Sequence, residues 1–169
     1  HGELMGDHGL YGKSRPEQGS IHIPLVIDAS RFGGMENHCL HTPVELQDLA
    51  ATFLDYAGVQ RPDNWESVSL RPLLEGRESQ VRPYAISELI TRGRKGPLQS
   101  FGCITDGIWK LILRPGQPDR LYHLEDDPFE CSDVADQYPE EAERLRNSFD
   151  DRGGKKHPAL AKYTQTFHA

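Results

Sequence analysis

The chain has little of what membrane proteins and general nucleic-acid binders need. None of its apolar runs approaches the roughly 20 residues with which a helix spans a bilayer. Positive charge is also scarce, because 19 Lys and Arg are outnumbered by 26 Asp and Glu, which gives a net charge of -7. A general nucleic-acid binder usually presents a basic face. The composition therefore predicts neither a membrane nor a nucleic acid as a partner.

Cysteine is sparse as well, since the 169 residues contain only Cys39, Cys103 and Cys131. The three lie far apart and form no CxxC pair, so they predict neither a zinc knuckle nor a redox pair. We expect free or partly buried thiols and at most one disulfide. This usage favours a reducing compartment, the cytoplasm over the periplasm, but leaves the localisation undetermined.

The first half of the chain has the pattern of an α/β fold. Residues 21–28, with the sequence IHIPLVID, predict a buried strand in which Pro24 marks a start, an edge or a bulge. Residues 43–57 predict a helix with Thr42 as N-cap, apolar residues at helical spacing, and Gly58 as its end. A strand followed by such a helix is the unit of a layered α/β sheet.

A domain boundary is predicted just after the middle of the chain. A short helical turn over residues 69–74 and a strand over residues 84–89 come first. Residues 91–98, TRGRKGPL, are then basic and rich in helix and strand breakers. We therefore predict one domain over residues 1–93 and a small second domain over residues 94–169.

The second domain is predicted to be α+β. Strands over residues 101–105 and 108–113 flank Asp106-Gly107, which is a strong signal for a two-residue hairpin turn. Residues 121–124 offer a third strand, and residues 139–149 predict an acidic amphipathic helix. We expect an antiparallel sheet with one helix.

Candidate ligand residues are concentrated in the first thirteen positions. His1, Glu3, Asp7 and His8 are residue types that bind metals, and Lys13 could bind an anion. Glycines, which let a backbone approach a ligand closely, surround them at positions 2, 6, 9, 12 and 19. Taken by itself, such a stretch is also compatible with a solvated turn, because its spacing defines no coordination geometry.

A family resemblance favours the functional interpretation. HGELMGDHGLYGK, followed by SIHIPLVI, resembles the motif of formylglycine-dependent arylsulfatases in the alkaline-phosphatase-like superfamily. In that family a Lys follows twelve residues after the His of a D-H/N-G-E segment, and His1 and Lys13 keep this spacing. His22 stands where the family usually has Arg. The later segments VELQDLAATFLDYAGV, SLRPLLEGR, YAISEL, ITDGIWKLI and LYHLEDDPFECSDVA resemble further family elements, in the same order.

The resemblance implies an active site and a fold. The fold would be the C-terminal portion of an alkaline-phosphatase-like layered α/β sheet, with a small α+β subdomain. His1 would be one ligand of a divalent cation, most often Ca²⁺ in this family, with Mn²⁺ as the alternative. Lys13 would be catalytic and would contact the sulfate or phosphoryl oxygens of the substrate. The resemblance assigns no fixed role to His8, which we expect to line the pocket or to serve the loop structurally, and we expect Glu3 to serve the hydrogen bonds of the loop.

The family's nucleophile motif is missing from this chain. It reads C/S-x-P-x-R, and its Cys or Ser is oxidised to formylglycine, whereas none of the three cysteines here has Pro two residues on and Arg four residues on. We therefore expect the C-terminal fragment of a hydrolase that cleaves small-molecule sulfate esters. The fragment should be inactive on its own, and the sequence is compatible with an oligomer. Alternatives are a phosphonate or phosphate ester hydrolase of the same superfamily, and a stand-alone non-catalytic binding module.

Overall fold

The computed structural model describes residues 1–89, 100–114 and 116–154. Two compact units are present: one combines residues 1–24 with the chain from residue 86 onward, and the other comprises residues 25–85. The boundary predicted at residues 93 and 94 lies outside the described residues. The division into domains 1–93 and 94–169 therefore stays a prediction.

The first unit is built on a four-stranded sheet in the order β1-β2-β3-β4. Its strands are β1 (Ala85–Leu89), β2 (Phe101–Thr105), β3 (Trp109–Leu113) and β4 (Arg120–His123). The pairs β2–β3 and β3–β4 are antiparallel; Cys103 lies opposite Ile112, and Leu111 opposite Leu121. The helix α4 (Pro139–Phe149) packs on β2 and β3. This confirms the predicted antiparallel sheet with one helix.

The predicted hairpin is present, but its turn has three residues rather than two. The backbone N–H of Asp106 donates to the carbonyl of Trp109, and Asp106 Oδ1 accepts hydrogen bonds from the N–H groups of Ile108 and Trp109 at 2.9 and 2.7 Å. This capping by the carboxylate adds Ile108 to the turn, so β3 begins one residue later than predicted. Gly107 supplies the positive φ of 100° that the turn requires.

The core of the first unit brings α4 unusually close to the sheet at one glycine. Leu145 and Phe149 of α4 are buried against the strands. A Cβ built on Gly102 of β2 would lie 2.5 Å from Cζ of Phe149. Since real Cβ atoms do not approach a ring so closely, only glycine lets the helix pack at this distance.

The predicted strand over residues 21–28 is wrong. Residues 18–21 form a short helix, α1 (Gln18–Ile21), and the chain then continues without regular structure. Val26 is 93% exposed and Leu25 44%. A strand of this apolar composition needs hydrogen-bonded neighbours on both sides. Within the described ranges no strand pairs with the segment.

The second unit contains α2 (Asp48–Tyr56) and α3 (Arg71–Leu74). The predicted helix over residues 43–57 therefore begins later than expected, and Thr42 is not its N-cap. The N-cap position belongs to Gln47, which makes no side-chain capping bond, and Asp48 is the first helical residue. The Oδ2 of Asp48 accepts the N–H of Glu45 at 2.8 Å and so holds the residues that lead into the helix. The predicted end is confirmed, with Gly58 at a φ of 66°. The short helical turn over residues 69–74 is confirmed by α3.

Asp48 is also the polar centre of the second unit. It is fully buried, and its Oδ1 accepts the N–H of Val68 at 2.9 Å. The guanidinium of Arg82, itself buried, pairs with Asp48 and with Glu45. Because charge and hydrogen bonds are satisfied together, the carboxylate stays inside the protein at an acceptable cost.

All three cysteines are free, as predicted. Cys103 is buried in the sheet, whereas Cys39 and Cys131 are exposed. Burial raises the pKa of the Cys103 thiol to about 11.

No helix of the described ranges combines the length and apolarity that crossing a bilayer requires.

The thiol environments predict selective disulfide exchange with an added reagent. At pH 8 we expect Ellman's reagent to modify Cys131 quickly and Cys103 only slowly, because the buried group is both shielded and protonated below its raised pKa. Mass spectrometry of the quenched protein measures both rates. Equal rates in the folded protein would contradict the buried position of Cys103, and denaturation in urea should make the rates equal.

The close approach at Gly102 predicts a stability loss on substitution. We expect Gly102→Ala to lower the free energy of unfolding by about 1–3 kcal/mol, because the added methyl must displace the Phe149 ring. Urea denaturation measures the loss. The double variant Gly102→Ala/Phe149→Leu is the control, since it removes the clashing ring atoms and should lose less than the sum of the single losses. Additive losses would disprove the contact.

Candidate active-site loop

The glycine-rich residues 1–20 form a loop that folds back on itself. Backbone hydrogen bonds join the Leu4 N–H to the Gly12 carbonyl at 3.0 Å and the Gly6 N–H to the Leu10 carbonyl at 2.8 Å. A single 3₁₀ turn, Asp7–Gly9, closes the tip. The chain segments leading to and from the tip therefore run side by side, which brings the beginning of the loop next to Gly12 and its neighbour Lys13.

The base of the loop is attached to α1. The N–H of Gly2 donates to the carbonyl of Ser20 at 2.7 Å. A Cβ built on Gly2 would lie 2.3 Å from the carbonyl oxygen of Gly19, so this contact between backbones requires glycine. Leu4 is 1% exposed and is the apolar anchor of the loop.

Lys13 presents its ammonium group to solvent. Its side chain is exposed, and it has no ion-pair partner among the described residues. The preceding residue is held in place, because the N–H of Gly12 donates to the carboxylate of Glu3. Glu3 thus serves the hydrogen bonds of the loop, as predicted. The result is a free cation on an anchored backbone, a combination that suits an anion-binding group.

The two predicted histidines are exposed. His1 Nδ1 lies 2.9 Å from the carbonyl oxygen of Gly2, its own neighbour. His8 sits at the tip with a left-handed φ of 55°. The loop brings His1 to the same end as Lys13 and places His8 at the other end. The roles predicted for His1, His8 and Lys13 stay predictions.

The described residues do not form a metal cage. Within residues 1–89, 100–114 and 116–154, no three His, Cys, Asp or Glu side chains come together as ligands. At this end of the loop the candidate ligand is a ring nitrogen of His1. A hard divalent cation takes six or more ligands, so the described residues alone do not complete such a site.

A buried polar cluster, which the sequence analysis missed, holds α1 against the sheet. Lys110 of β3 is fully buried, and its Nζ lies 2.5 Å from Glu130 Oε1. Glu130 Oε2 accepts the N–H of Gln18 at 2.6 Å, and Gln18 Oε1 accepts a hydrogen bond from Lys110 at 3.3 Å. Beside them Arg114 pairs with Glu17 at 2.6 Å. We call Lys110, Glu130, Gln18, Glu17 and Arg114 the anchor cluster.

The sequence contains one signal that could have revealed the anchor cluster. Lys110 stands inside the run WKLIL, on the same strand face as the buried Ile112. A lysine on a buried face needs a charged partner. The partner, however, is Glu130 in a loop after β4, and nothing local in the sequence identifies it.

Solved structures define the class of protein to which this fold and loop belong. The phosphonate monoester hydrolase SpPMH from Silicibacter pomeroyi is 27% identical, with a TM-score of 0.75, over 90% of this chain and 33% of that one. Curated relatives agree: arylsulfatase K of Xenopus laevis is 33% identical over 86% of this chain, and the arylsulfatase of Clostridium perfringens is 30% identical over the same share. The fold is thus that of the C-terminal part of sulfatase-type hydrolases in the alkaline-phosphatase-like superfamily.

A family model makes the assignment specific. Residues 6–152 match the model of the N-sulphoglucosamine sulphohydrolase C-terminal family, and the chain belongs to that family. The chain spans 28% of the Xenopus relative and 30% of the Clostridium relative. The predicted family and fold class are confirmed.

The buried position of Leu4 predicts that the loop contributes to stability. We expect Leu4→Ala to lower the free energy of unfolding by about 2–5 kcal/mol, since it leaves a cavity at a closed site. The adjacent Met5 is 78% exposed, so Met5→Ala is the matched control and should change stability by about 0.5 kcal/mol or less. Urea denaturation compares the two, and equal losses would show that the loop is not packed through Leu4.

Proposed function

We propose that this chain is the C-terminal part of a sulfatase-like hydrolase that cleaves small-molecule sulfate esters, with Lys13 and His1 in the active site. The observation that supports it best is the exposed Lys13, which has no ion-pair partner among the described residues, on an anchored glycine-rich loop in a chain of a sulphohydrolase family. The named relatives that are sulfatases support sulfate esters as the substrate class.

Lys13 is assigned the role of stabilising negative charge on the transferred group. Charge grows on the sulfuryl oxygens and the leaving oxygen as the ester bond breaks, and a compact ammonium on a flexible stem can follow it. The ammonium has no ion-pair partner among the described residues, so it breaks no ion pair with any of them when it meets the substrate. His8 is assigned to the lining of the substrate pocket.

The remaining parts of the active site are proposed to come from outside the described residues. The nucleophile would be a formylglycine. It would lie elsewhere in the protein, because none of the three cysteines here stands in the required motif. His1 would be one ligand of a divalent metal, Ca²⁺ in preference to Mn²⁺, and the other ligands would come from elsewhere in the protein. On this proposal the 169 residues alone are inactive, because they lack an activated nucleophile.

A second candidate function is hydrolysis of phosphonate or phosphate esters. The likeness to SpPMH, at 27% identity and a TM-score of 0.75, favours it. Phosphoryl and sulfuryl groups are both tetrahedral and anionic, so the loop and Lys13 would serve either. The stand-alone binding module is less well supported, because apolar side chains such as Val26, Phe32 and Phe53 lie open to solvent.

The test uses the complete enzyme and two matched substrates, 4-nitrophenyl sulfate and a 4-nitrophenyl phosphonate monoester. We expect Lys13→Ala to lower kcat by about 10²–10³-fold on the better substrate, as removal of a charge-stabilising donor does. Arg31→Ala, which removes another exposed cation, is the control and should keep wild-type turnover. The ratio of the wild-type enzyme's kcat/KM values for the two substrates decides between sulfate ester hydrolysis and phosphonate ester hydrolysis. Wild-type turnover in Lys13→Ala would remove Lys13 from the site.

A further inference from the structure

The helix α1 is the common support of both ends of the candidate active-site loop. The beginning of the loop is attached to it by the hydrogen bond from Gly2 to Ser20. The end of the loop reaches it through residues 14–17, a short connection in which Pro16 is fully buried. A displacement of α1 would therefore move both the His1 end and Lys13.

Glu130 holds the first residue of α1. The two oxygens of this carboxylate have different partners: Oε1 lies 2.5 Å from Lys110 Nζ, and Oε2 accepts the N–H of Gln18, the first helical residue, at 2.6 Å. Glu130 is 3% exposed and Lys110 is fully buried. Such a pair holds its geometry because neither group can find water as an alternative partner.

Stability alone is a weak reason for a buried ion pair. Removing two charges from water is costly, and replacing such a pair with apolar residues of similar volume is often neutral or stabilising. An apolar pair in place of Lys110 and Glu130 would fill the same space, but it would offer no acceptor to the N–H of Gln18. The arrangement thus provides something that simple packing would not, namely a fixed point for α1.

We propose that Lys110 and Glu130 are positioning residues, which place Lys13 for catalysis by holding the N–H of Gln18. The proposal rests on the proposed function of Lys13. Neither residue is assigned a contact with the substrate. Lys110 orients the Glu130 carboxylate, Glu130 fixes Gln18, and Gln18 sets the course of the chain that carries Lys13. Arg114 and Glu17 add a second, partly exposed attachment at the adjoining residue.

The first experiment changes the N–H that Glu130 binds. Gln18→Pro replaces this N–H with a ring methylene, which both removes the hydrogen bond and displaces the Glu130 carboxylate, whereas Gln18→Ala deletes the side chain but keeps the N–H. Proline is compatible with the first position of a helix, and Glu17 before it has φ -64° and ψ 151°, an extended conformation that a following proline favours. We expect kcat of the complete enzyme to fall at least ten-fold further in Gln18→Pro than in Gln18→Ala, at unchanged KM for the aryl sulfate.

The second experiment changes the pair from the other side. Lys110→Met/Glu130→Gln and Lys110→Met/Glu130→Leu are both neutral and similar in volume, but only the glutamine retains an oxygen acceptor for the Gln18 N–H. We expect similar melting temperatures, with kcat at least ten-fold lower in the leucine variant. Equal kcat values in folded variants of both comparisons would overturn the proposal, because a purely structural pair would not distinguish them.

Hydrogen–deuterium exchange provides a measurement that does not require turnover. Peptides covering residues 13–21 should exchange faster in Gln18→Pro than in Gln18→Ala, and faster in Lys110→Met/Glu130→Leu than in Lys110→Met/Glu130→Gln. The exchange rates of peptides from β3 should be the same in all four variants. Unchanged exchange in residues 13–21 would overturn the proposal. If the wild-type enzyme cleaved neither ester, the proposed function would fail, and the exchange data alone would still decide whether the anchor cluster holds the loop.

Discussion

The contact between the buried Lys110–Glu130 pair and the N–H of Gln18 connects the candidate active-site loop to the sheet. Gln18 is 92 residues from Lys110 and 112 residues from Glu130 along the chain. The hydrogen bond and the ion pair share one carboxylate, so the charge of Glu130 is compensated and both of its oxygens are used. In a site closed to water this arrangement leaves α1 few alternative positions. The helix α1 positions the loop, because both ends of the loop are attached to it.

The second unit uses the same physical device for a different purpose. Asp48 is fully buried, pairs with Arg82 and accepts the N–H groups of Glu45 and Val68. There the carboxylate holds the start of α2 together with the chain that follows it. In each unit a buried carboxylate, neutralised by a buried cation, accepts a backbone N–H that is distant in sequence, that of Gln18 for Glu130 and that of Val68 for Asp48. Hydrogen bonds to such a carboxylate are directional, whereas apolar contacts are not. The carboxylate can therefore fix the conformation of irregular segments that apolar contacts alone would leave variable.

The described residues form part of a candidate active site and not a complete catalytic apparatus. The loop offers the Lys13 ammonium, which has no ion-pair partner among the described residues, and the imidazoles of His1 and His8; the described residues hold no metal cage. Membership of the sulphohydrolase family and a span of less than a third of the curated relatives fit this division. On the proposed function, the C-terminal part would supply the cation of Lys13, and the anchor cluster would connect the small sheet to the active site.

Local features were determined by the sequence itself. The strands β2 and β4, the hairpin at Asp106-Gly107, the helix α4 and the end of α2 at Gly58 could be predicted, because alternation, turn residues and helical spacing act over a few neighbouring positions. The order of the motifs also identified the family. Only the tertiary structure decided the start of α2 at Asp48, and the conformation of residues 21–28, with which no strand of the described residues pairs. It alone decided the partners of Lys110, because an ion pair between distant residues depends on which surfaces the fold brings together and leaves no pattern in the local sequence.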